Sequence, residues 1–381
     1  MGAWGQSNLS PDFKQITMHR YMEDALELAA RGLGRVSPNP CVGAVIVADE
    51  GVVGRGFYTA AGVRHAEVLA LDEAGEKARG ATMYVTLEPH AHQGRTPPCT
   101  DAIIAAGIAR VVAPMEDPNP LVRGRGFAQL REAGIHVELA PEYATRAAEL
   151  NEAFLHFMRA GRPLVTLKAA LTLDGKIAAP EGNEGWITSE KARAHVQTLR
   201  HNSDAILTGI GTVLADDCLL TDRSGKERSR PLLRIVVDSQ LRLPMESKMA
   251  DSAKGDVLVA TTSAGSAERR QRLEAKGIRV EMLEGADGRV SLHAIAELLG
   301  REKYLTLMIE AGSKVNWSAL ESGVADKIFF YYAPKILGGM QSLPVAGGTG
   351  RLRRADAIRF RDLKLHSITP NEFAVEARLE K

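Results

Sequence analysis

The sequence predicts an α/β protein built from two domains, and three observations lead to this prediction. The chain has 381 residues, which is long for a single hydrophobic core. Helical and strand patterns alternate in both halves, as they do when helices cover a sheet. A Gly161-Arg162-Pro163 break separates the two halves. We therefore place one domain at residues 1–160 and the other at residues 161–381.

The first domain is predicted to be a three-layer α/β unit. An amphipathic helix over 21–31 is followed by the break Ser37-Pro38-Asn39-Pro40. Two strands, 42–47 and 52–57, then flank a turn at Asp49-Glu50-Gly51. The later elements alternate in the order helix from 65, strand 82–87, helix after 99, strand 110–113, helix 126–133, strand 136–139 and helix 141–160. Such alternation favours a sheet covered on both faces.

The second domain repeats the alternation without a dinucleotide fingerprint. A strand at 164–171 and a helix at 190–200 open it. Further strands are predicted at 205–207, 233–237, 257–260, 279–282, 305–309, 328–332 and 373–379. Thr208-Gly209-Ile210-Gly211-Thr212 lacks the third glycine of the fingerprint, so an ordinary turn is the plainer interpretation. Glu310-Ala311-Gly312-Ser313 is a better phosphate site, because amides at a helix start can hold phosphate.

Composition and charge exclude several classes of protein. The chain has 48 Lys and Arg against 47 Asp and Glu, a net charge of +1, so no nucleic-acid partner is indicated. The basic run Arg351-Leu352-Arg353-Arg354 is interpreted as a solvated turn. No signal peptide or membrane-spanning run is recognised, and 3 cysteines without framework spacing suit a reducing compartment. We expect a cytoplasmic protein that binds no membrane.

One stretch has the pattern of a zinc-dependent deaminase. His65-Ala66-Glu67 is followed by Leu87-Glu88-Pro89-His90 and by Gly94-Arg95-Thr96-Pro97-Pro98-Cys99. A ligand, a glutamate two residues on and two further ligands after a strand are typical of that class. Three protein ligands leave a fourth zinc position open. The predicted ligands are His65, His90 and Cys99, and Glu67 is the predicted proton carrier.

His90 departs from the usual pattern, which has cysteine after Glu-Pro. Imidazole is a normal zinc ligand, so we interpret His90 as a replacement for the thiolate. Two alternatives stay open: His92 takes this place, or zinc binds weakly or not at all. Cys41 and Cys218 have no such neighbours in sequence and are interpreted as structural. Glu88 is expected to fix the strand-to-loop geometry.

These motifs closely resemble the bifunctional deaminase-reductases of riboflavin biosynthesis. The matching strings of the first half are Ser37-Pro38-Asn39-Pro40-Cys41-Val42-Gly43, His65-Ala66-Glu67-Val68, the stretch 86–99 and Asp117-Pro118-Asn119-Pro120. Those of the second half are Leu167-Lys168-Ala169-Ala170, Leu173-Asp174-Gly175, Trp186-Ile187-Thr188-Ser189, Thr212-Val213-Leu214-Ala215-Asp216-Asp217 and Glu310-Ala311-Gly312. The resemblance implies a cytidine-deaminase-like domain followed by a dihydrofolate-reductase-like domain.

By this resemblance, the first domain is expected to deaminate 2,5-diamino-6-(5-phosphoribosylamino)pyrimidin-4(3H)-one. Asn39 would orient the pyrimidine. The residues implied to lie near the ring or the ribose phosphate are His92, Arg95, Asp117 and Asn119. Arg95 suits a phosphate because a guanidinium donates hydrogen bonds in pairs, although a solvated loop residue is its plainer interpretation.

The second domain is expected, by the same resemblance, to reduce the ribosyl group to ribityl with NADPH. The residues implied to contact the cofactor are Ala170, Trp186, Thr212, Asp216, Ser239, Gly312, Ser313, Lys314, Val315, Asn316, Trp317 and Ser318. Those implied to line the ribose-phosphate site are Glu184, Arg200, Leu220, Arg223 and Glu310. Lys168 is the expected catalytic residue that positions the proton, with Asp216 as the alternative. Surface ion pairs are the plainer interpretation of the two arginines.

Two residues of the reductase half differ from those that the family usually has, and each difference affects an individual contact. Glu184 stands where the family commonly has serine, and Cys218 follows Asp217 where proline is usual. The family's habit of associating through this half implies a homo-oligomer that acts on small-molecule substrates. The alternative enzyme is a reductase whose deaminase half has lost zinc through His90. A remote alternative is a deaminase fold used as an RNA-interaction or scaffold module, which the near-neutral net charge and the intact Glu67 oppose.

Overall fold

The chain divides into two compact units, Met1–Arg159 and Ala160–Lys381. A computed structural model describes residues 11–49, 51–59, 64–93, 97–119, 122–181 and 185–380. Within these ranges, no helix has the length and apolar character needed to span a bilayer.

The first unit is a five-stranded mixed sheet with helices on both faces. Its elements are α1 (Pro11–Ala30), β1 (Gly43–Ala48), β2 (Gly51–Phe57), α2 (Ala66–Ala74), β3 (Thr82–Val85), α3 (Cys99–Ala105), β4 (Arg110–Ala113), α4 (Arg125–Glu132), β5 (His136–Leu139), α5 (Ala144–Leu150) and α6 (Glu152–Ala160). The strand order is β2-β1-β3-β4-β5. β1 is antiparallel to both of its neighbours, while β3, β4 and β5 run parallel.

Alternate side chains of the strands enter two core layers. Ile46, Met83 and Val111 pack with α2, α3 and α4 on one face. Val45 and Tyr84 pack with α1 and α5 on the other face. Successive side chains of a strand point to opposite faces, so buried residues on both faces require two helical layers. The predicted three-layer architecture is confirmed.

The segment predicted as one helix over 141–160 is instead two helices, α5 and α6, separated at Asn151. The buried Asn151 side chain accepts a hydrogen bond from the backbone N–H of Cys41 at 2.7 Å and donates one to its carbonyl at 3.0 Å. The interruption therefore lies where an asparagine satisfies both backbone groups of a residue far away in the sequence.

The second unit contains a larger sheet and a short ribbon. Its elements are β6 (Leu164–Thr172), β7 (Lys176–Ala178), α7 (Glu190–His201), β8 (Ala205–Gly209), α8 (Ile210–Asp216), β9 (Leu233–Val237), α9 (Lys248–Asp251), β10 (Val257–Thr261), α10 (Ala267–Ala275), β11 (Arg279–Met282), α11 (Leu292–Arg301), β12 (Thr306–Ile309), α12 (Ser313–Glu321), β13 (Lys327–Ala333), β14 (Leu343–Pro344), β15 (Phe360–Thr369) and β16 (Glu372–Leu379). The nine strands follow the order β11-β10-β9-β8-β12-β6-β13-β16-β15, and β14 pairs with β7. The seven strands from β11 to β13 in this order are mutually parallel, and β16 is antiparallel to both of its neighbours, β13 and β15.

The strand order places a crevice between β8 and β6. The chain leaves β6, extends the sheet through β8, β9, β10 and β11, and returns to insert β12 between β8 and β6. At such a reversal, ligands bind outside the carboxyl ends of the parallel strands. α8 occupies the position where a turn was expected, directly after β8, and therefore lines this edge. β15 was not predicted, and it forms the exposed end of the sheet.

Candidate active sites

Three potential metal ligands come together in the first unit. His65 immediately precedes α2, His90 lies in the loop after β3, and Cys99 is the first residue of α3. Cys99 Sγ lies 3.1 Å from His65 Nδ1 and 2.9 Å from His90 Nδ1. The donor atoms of the three residues all lie within 4.8 Å of one another, and His92, which is exposed, does not belong to this group. We call these three residues the metal group.

Local backbone geometry explains how residues distant in sequence converge. His65 has an extended backbone (ψ 158°) and precedes the first turn of α2, which carries Glu67. A Cβ atom on Gly56 of β2 would lie 2.1 Å from the carbonyl oxygen of Ala66. Glycine at this position therefore allows the start of α2 to lie directly on the strand.

The carboxyl group of Glu67 lies buried beside the metal group. The residue is 3% exposed, and its Oε2 has no hydrogen-bond partner among the described residues. Burial raises the pKa of Glu67, against the lowering effects of His65 and of a hydrogen bond with Cys99. A buried carboxyl group with a raised pKa is suited to exchange a proton near neutral pH.

The protonation of the histidine and cysteine donors is set by their burial. Burial, with His65 and His92 nearby, lowers the pKa of His90 to about 4, so its imidazole is neutral at pH 7. Neutral imidazole is the form that binds metals. Burial and the neighbouring Glu67 raise the pKa of the Cys99 thiol, so a thiolate at this position requires a cation beside it.

Glu88 fixes the loop after β4, in keeping with its expected structural role. Its carboxylate accepts hydrogen bonds from the backbone amides of Asp117 at 3.0 Å, Gly124 at 2.9 Å and Phe127 at 3.2 Å. A Cβ atom on Gly126 would lie 1.8 Å from the carbonyl oxygen of Pro89, so this loop and the start of α4 pack directly on the Glu88-Pro89 backbone. The carboxylate is 3% exposed and is satisfied by backbone alone.

The residues expected near the pyrimidine lie on neighbouring loops. Asn39 donates its amide to the Tyr58 hydroxyl at 3.0 Å, and the Tyr58 ring contacts the His65 ring edge-on. Burial raises the pKa of Asp117 to about 6, and its carboxylate accepts the backbone amide of Asn119 at 2.8 Å. The His92 ring lies edge-on to His90, with 5.4 Å between ring centroids. Arg95 lies outside the described residues.

A cavity of about 2030 Å³ opens at the strand reversal of the second unit. The predicted residues that line it are Lys168, Ala170, Trp186, Arg200, Thr212, Asp216, Leu220, Arg223, Ser239, Glu310, Gly312, Ser313, Lys314, Val315 and Ser318. These come from β6, from the ends of β8, β9 and β12, from α7, α8 and α12, and from the loops that carry Trp186, Leu220 and Arg223. The cavity therefore lies where the topology places a ligand.

An ion-pair group lies on the wall of this cavity. Lys168 Nζ lies 2.9 Å from Glu310 Oε1, while Arg200 donates from Nε and a terminal nitrogen to Glu310 Oε2 at 3.2 and 3.0 Å. Although burial raises it, these two cations bring the pKa of Glu310 down to about 2. Arg200 also donates to the carbonyl of Thr221 at 3.1 Å, so its guanidinium is largely engaged by the protein.

Not every predicted residue of the reductase half reaches the cavity. Asn316 is fully buried and donates its side-chain amide to the carbonyl of Val345 at 2.8 Å. Trp317 is also absent from the cavity lining and lies under Gly348. The two residues support the 343–348 segment instead. Asp216 lines the cavity with a pKa raised by burial, and Glu184 lies outside the described residues.

Two aromatic residues near the sites were missed by sequence reasoning. Tyr58 joins Asn39 to His65, and Tyr331 of β13 lies beneath Lys168, whose Nζ is 5.8 Å from the ring centroid. The buried Tyr331 hydroxyl is 2.6 Å from His195 Nδ1. Tyr58 directly follows β2 and Tyr331 lies within β13, so from sequence both look like ordinary core residues.

Several known proteins are similar to the whole chain. The riboflavin biosynthesis protein RibD of Escherichia coli (strain K12) is 42% identical over 366 residues, which span 92% of this chain and 96% of the relative. RibD of Actinobacillus pleuropneumoniae is 41% identical over 358 residues, 94% of both chains. The structure of Acinetobacter baumannii RibD, form 1, matches with a TM-score of 0.85 at 37% identity, covering 96% of this chain and 99% of that one. A diaminohydroxyphosphoribosylaminopyrimidine deaminase/5-amino-6-(5-phosphoribosylamino)uracil reductase of Thermotoga maritima matches with a TM-score of 0.81 at 34% identity, covering 96% and 100%.

Family profiles match each unit separately. The cytidine and deoxycytidylate deaminase zinc-binding region matches residues 16–115, and the RibD C-terminal domain matches residues 163–371. The fold and the two sites thus define a fused enzyme, a zinc-binding deaminase followed by an NADPH-using reductase. The chain belongs to the RibD family, the bifunctional deaminase-reductases of riboflavin biosynthesis.

Proposed function

We propose that the first unit deaminates 2,5-diamino-6-(5-phosphoribosylamino)pyrimidin-4(3H)-one and that the second reduces the ribosyl group of the product to ribityl. The convergence of His65, His90 and Cys99 beside the buried carboxyl of Glu67 carries the proposal. This arrangement suits the attack of water on a ring carbon that bears an amino group. The similarity over the whole chain supports both steps in one protein.

Zinc fits the metal group, because two imidazole nitrogens and one sulfur are donors that it prefers and three protein ligands leave a position open. When bound, zinc supplies a Lewis acid that makes water nucleophilic near neutral pH. The Oε2 of Glu67, which has no hydrogen-bond partner among the residues that the structure describes, supports a role for this carboxylate as the acceptor of the water's proton. Glu67 then returns protons to a ring nitrogen and to the departing amino group, so one water is consumed and one ammonia leaves.

The substrate would be held between the loops that carry Asn39 and Asp117. The Tyr58 hydroxyl orients the Asn39 amide, which supports a pairing with the pyrimidine edge. We assign Asn119, His92 and Arg95 to the ring or the ribose phosphate by family resemblance.

In the second unit, NADPH supplies a hydride, and the cavity residues of β8, β9 and α12 would hold it. The ribosyl group would be reduced as its open-chain imine, in which C1 gains the hydride and the nitrogen gains a proton. We assign the positioning of that proton to Lys168, because the ionised Glu310 holds its ammonium at the cavity wall. Arg223 also lines the cavity and is our choice for the substrate phosphate, since Arg200 already has three of its five donors engaged.

A coupled assay tests the assignment of both steps. Ammonia release from the diaminopyrimidine reports the first step, and NADPH oxidation reports the second. Glu67→Gln should lower ammonia release by about 10²–10⁴-fold and leave NADPH oxidation on pre-deaminated substrate unchanged. Glu76→Gln, an exposed acid after α2, is the matched control.

Three outcomes would contradict parts of the proposal. Undiminished ammonia release in Glu67→Gln would remove Glu67 as the proton carrier. If the wild type oxidises NADPH only when pre-deaminated substrate is supplied, the protein is a reductase without a working deaminase. Unchanged reductase turnover in Lys168→Met would transfer the proton role to Asp216.

We further propose that the enzyme works as a homo-oligomer in the cytoplasm. The exposed side chains of Leu363 and Leu365 on the end strand β15 support association through the reductase unit. The three free cysteines suit a reducing compartment. Light scattering at the concentration of the assay would show a monomer if the first statement is wrong.

A further inference from the structure

The metal group of this chain contains one sulfur atom. Its other two donors are the Nδ1 atoms of His65 and His90, which lie 3.1 and 2.9 Å from Cys99 Sγ. The nearby Cys41 does not belong to this group; it packs against Val36 and Tyr58 in a separate cluster. A divalent ion bound here would meet two neutral imidazoles and a single thiolate.

The surrounding acids do not replace the charge that a second thiolate would contribute. Both carboxylate oxygens of Glu88 are engaged by backbone amides. Asp101 accepts the side-chain amide of Gln129 at 2.8 Å in an exposed position. Glu67 is the buried acid beside the group, and its proposed role is to carry a proton. The protein donor set therefore has a charge of about −1.

Donor softness links this composition to the choice of metal. Thiolates are soft donors and favour zinc, whereas imidazole serves zinc, iron, nickel and copper alike. Exchanging a thiolate for an imidazole removes much of the discrimination between zinc and the earlier divalent metals. The general affinity order, Mn²⁺ < Fe²⁺ < Co²⁺ < Ni²⁺ < Cu²⁺ > Zn²⁺, does not by itself select zinc, so ligand type contributes to that selection, and a site with one thiolate prefers zinc less strongly than a site with two.

We propose that His90 is a metal-specificity-determining residue, and that this centre accepts Co²⁺ and Fe²⁺ with affinities much closer to that of zinc than a two-thiolate centre would. The inference rests on the proposed metal group. It adds that the imidazole at position 90, and not the fold around it, sets the preference among metals.

Metal competition on the full-length protein tests the proposal. Metal-free wild type, His90→Cys, His90→Asp and the exposed control His92→Ala are titrated with Co²⁺ without oxygen, and zinc then displaces the cobalt. The zinc-over-cobalt affinity ratio should rise at least about tenfold in His90→Cys, the scale on which changes around a metal alter its affinity. The ratio should stay unchanged in His92→Ala. His90→Asp restores the negative charge with a hard oxygen, so its ratio should not rise.

The cobalt spectrum separates failure of this inference from failure of the proposed metal group. A thiolate-to-cobalt charge-transfer band in the wild type that disappears in Cys99→Ala establishes Cys99 as a ligand, and a band about twice as intense in His90→Cys would place position 90 in the same group. Absence of that band would overturn the proposed metal group and with it the inference. A band with equal zinc-over-cobalt ratios in wild type and His90→Cys would overturn the inference alone. Equal rises in His90→Cys and His90→Asp would attribute selectivity to charge and also overturn it.

Discussion

Replacing Glu88 should open the loop that carries Asp117. Glu88 accepts three backbone amides at 2.9–3.2 Å, and each hydrogen bond to a charged acceptor contributes about 1.5–3 kcal/mol. Glu88→Gln retains one acceptor oxygen and turns an NH₂ group toward a backbone N–H. We therefore expect a loss of about 2–3 kcal/mol in the free energy of loop opening. Glu88→Ala loses all three bonds and should cost about 4–5 kcal/mol, near the upper range for one substitution.

Hydrogen exchange read by mass spectrometry on peptides covering 117–127 measures this opening directly. A loss of about 2–3 kcal/mol corresponds to exchange about 30- to 150-fold faster in Glu88→Gln. Glu116→Gln is the matched control, because this neighbouring acid is more exposed and pairs with Arg123 at 3.2 Å on the surface. Its effect should stay below about 1 kcal/mol. Wild-type exchange rates in Glu88→Gln would refute the reasoning that the carboxylate holds the loop.

Three further predictions concern the ion pairs and the packing around the sites. Because the pKa of Glu310 is depressed from 4.5 to about 2, its ion pairs stabilise the fold above about pH 4.5, and this stabilisation is lost as the pH falls toward about 2. The free energies of unfolding of wild type and Glu310→Gln, measured with denaturant, should therefore converge over that range, and a constant difference between them would contradict the prediction. Gly126→Ala should lower the Tm by several degrees and reduce ammonia release, since its Cβ would meet the carbonyl of Pro89. A Tm equal to that of the wild type, measured by calorimetry, would contradict this prediction. Tyr331→Phe keeps the ring beneath Lys168 and should retain most of the reductase turnover, whereas Tyr331→Leu should lower kcat about tenfold. Equal kcat values for the two variants would show that the ring does not contribute to turnover.

Sequence patterns predicted the three-layer architecture of the first unit, because its strands carry apolar residues on both of their faces. Consecutive apolar residues such as Val45-Ile46 and Val111-Val112 can be satisfied only by helices on both sides of a sheet. The convergence of His65, His90 and Cys99 was also predictable. Short motifs at fixed spacing carry them, and the turns that bring them together are encoded within the same motifs. The sequence named His90 and left His92, two residues further along the same loop, as an alternative; the structure brings His90 to Cys99.

Other features depend on contacts between distant residues. β15 was missed because Asp362 adopts a positive φ of 54° and the pairing with β16 shifts between Arg361 and Lys364, which breaks the alternation that identifies a strand. The break at Asn151 follows from its bonds to Cys41, 110 residues earlier. The Lys168–Glu310 pair joins neighbouring strands that are 142 residues apart in the chain. Local propensity contains no information about such partners.

The single sulfur of the metal group also determines how the centre meets oxidants. A centre with two thiolate ligands can give up two electrons to peroxide, close a disulfide between its own ligands and release the metal. The metal group of this chain has no second sulfur to complete that bond. Cys99 is 0% exposed, so direct oxidation to sulfenic acid requires peroxide to enter the folded core. The imidazole of His90 in place of a thiolate therefore removes disulfide formation between two ligands as a route of metal loss from this centre.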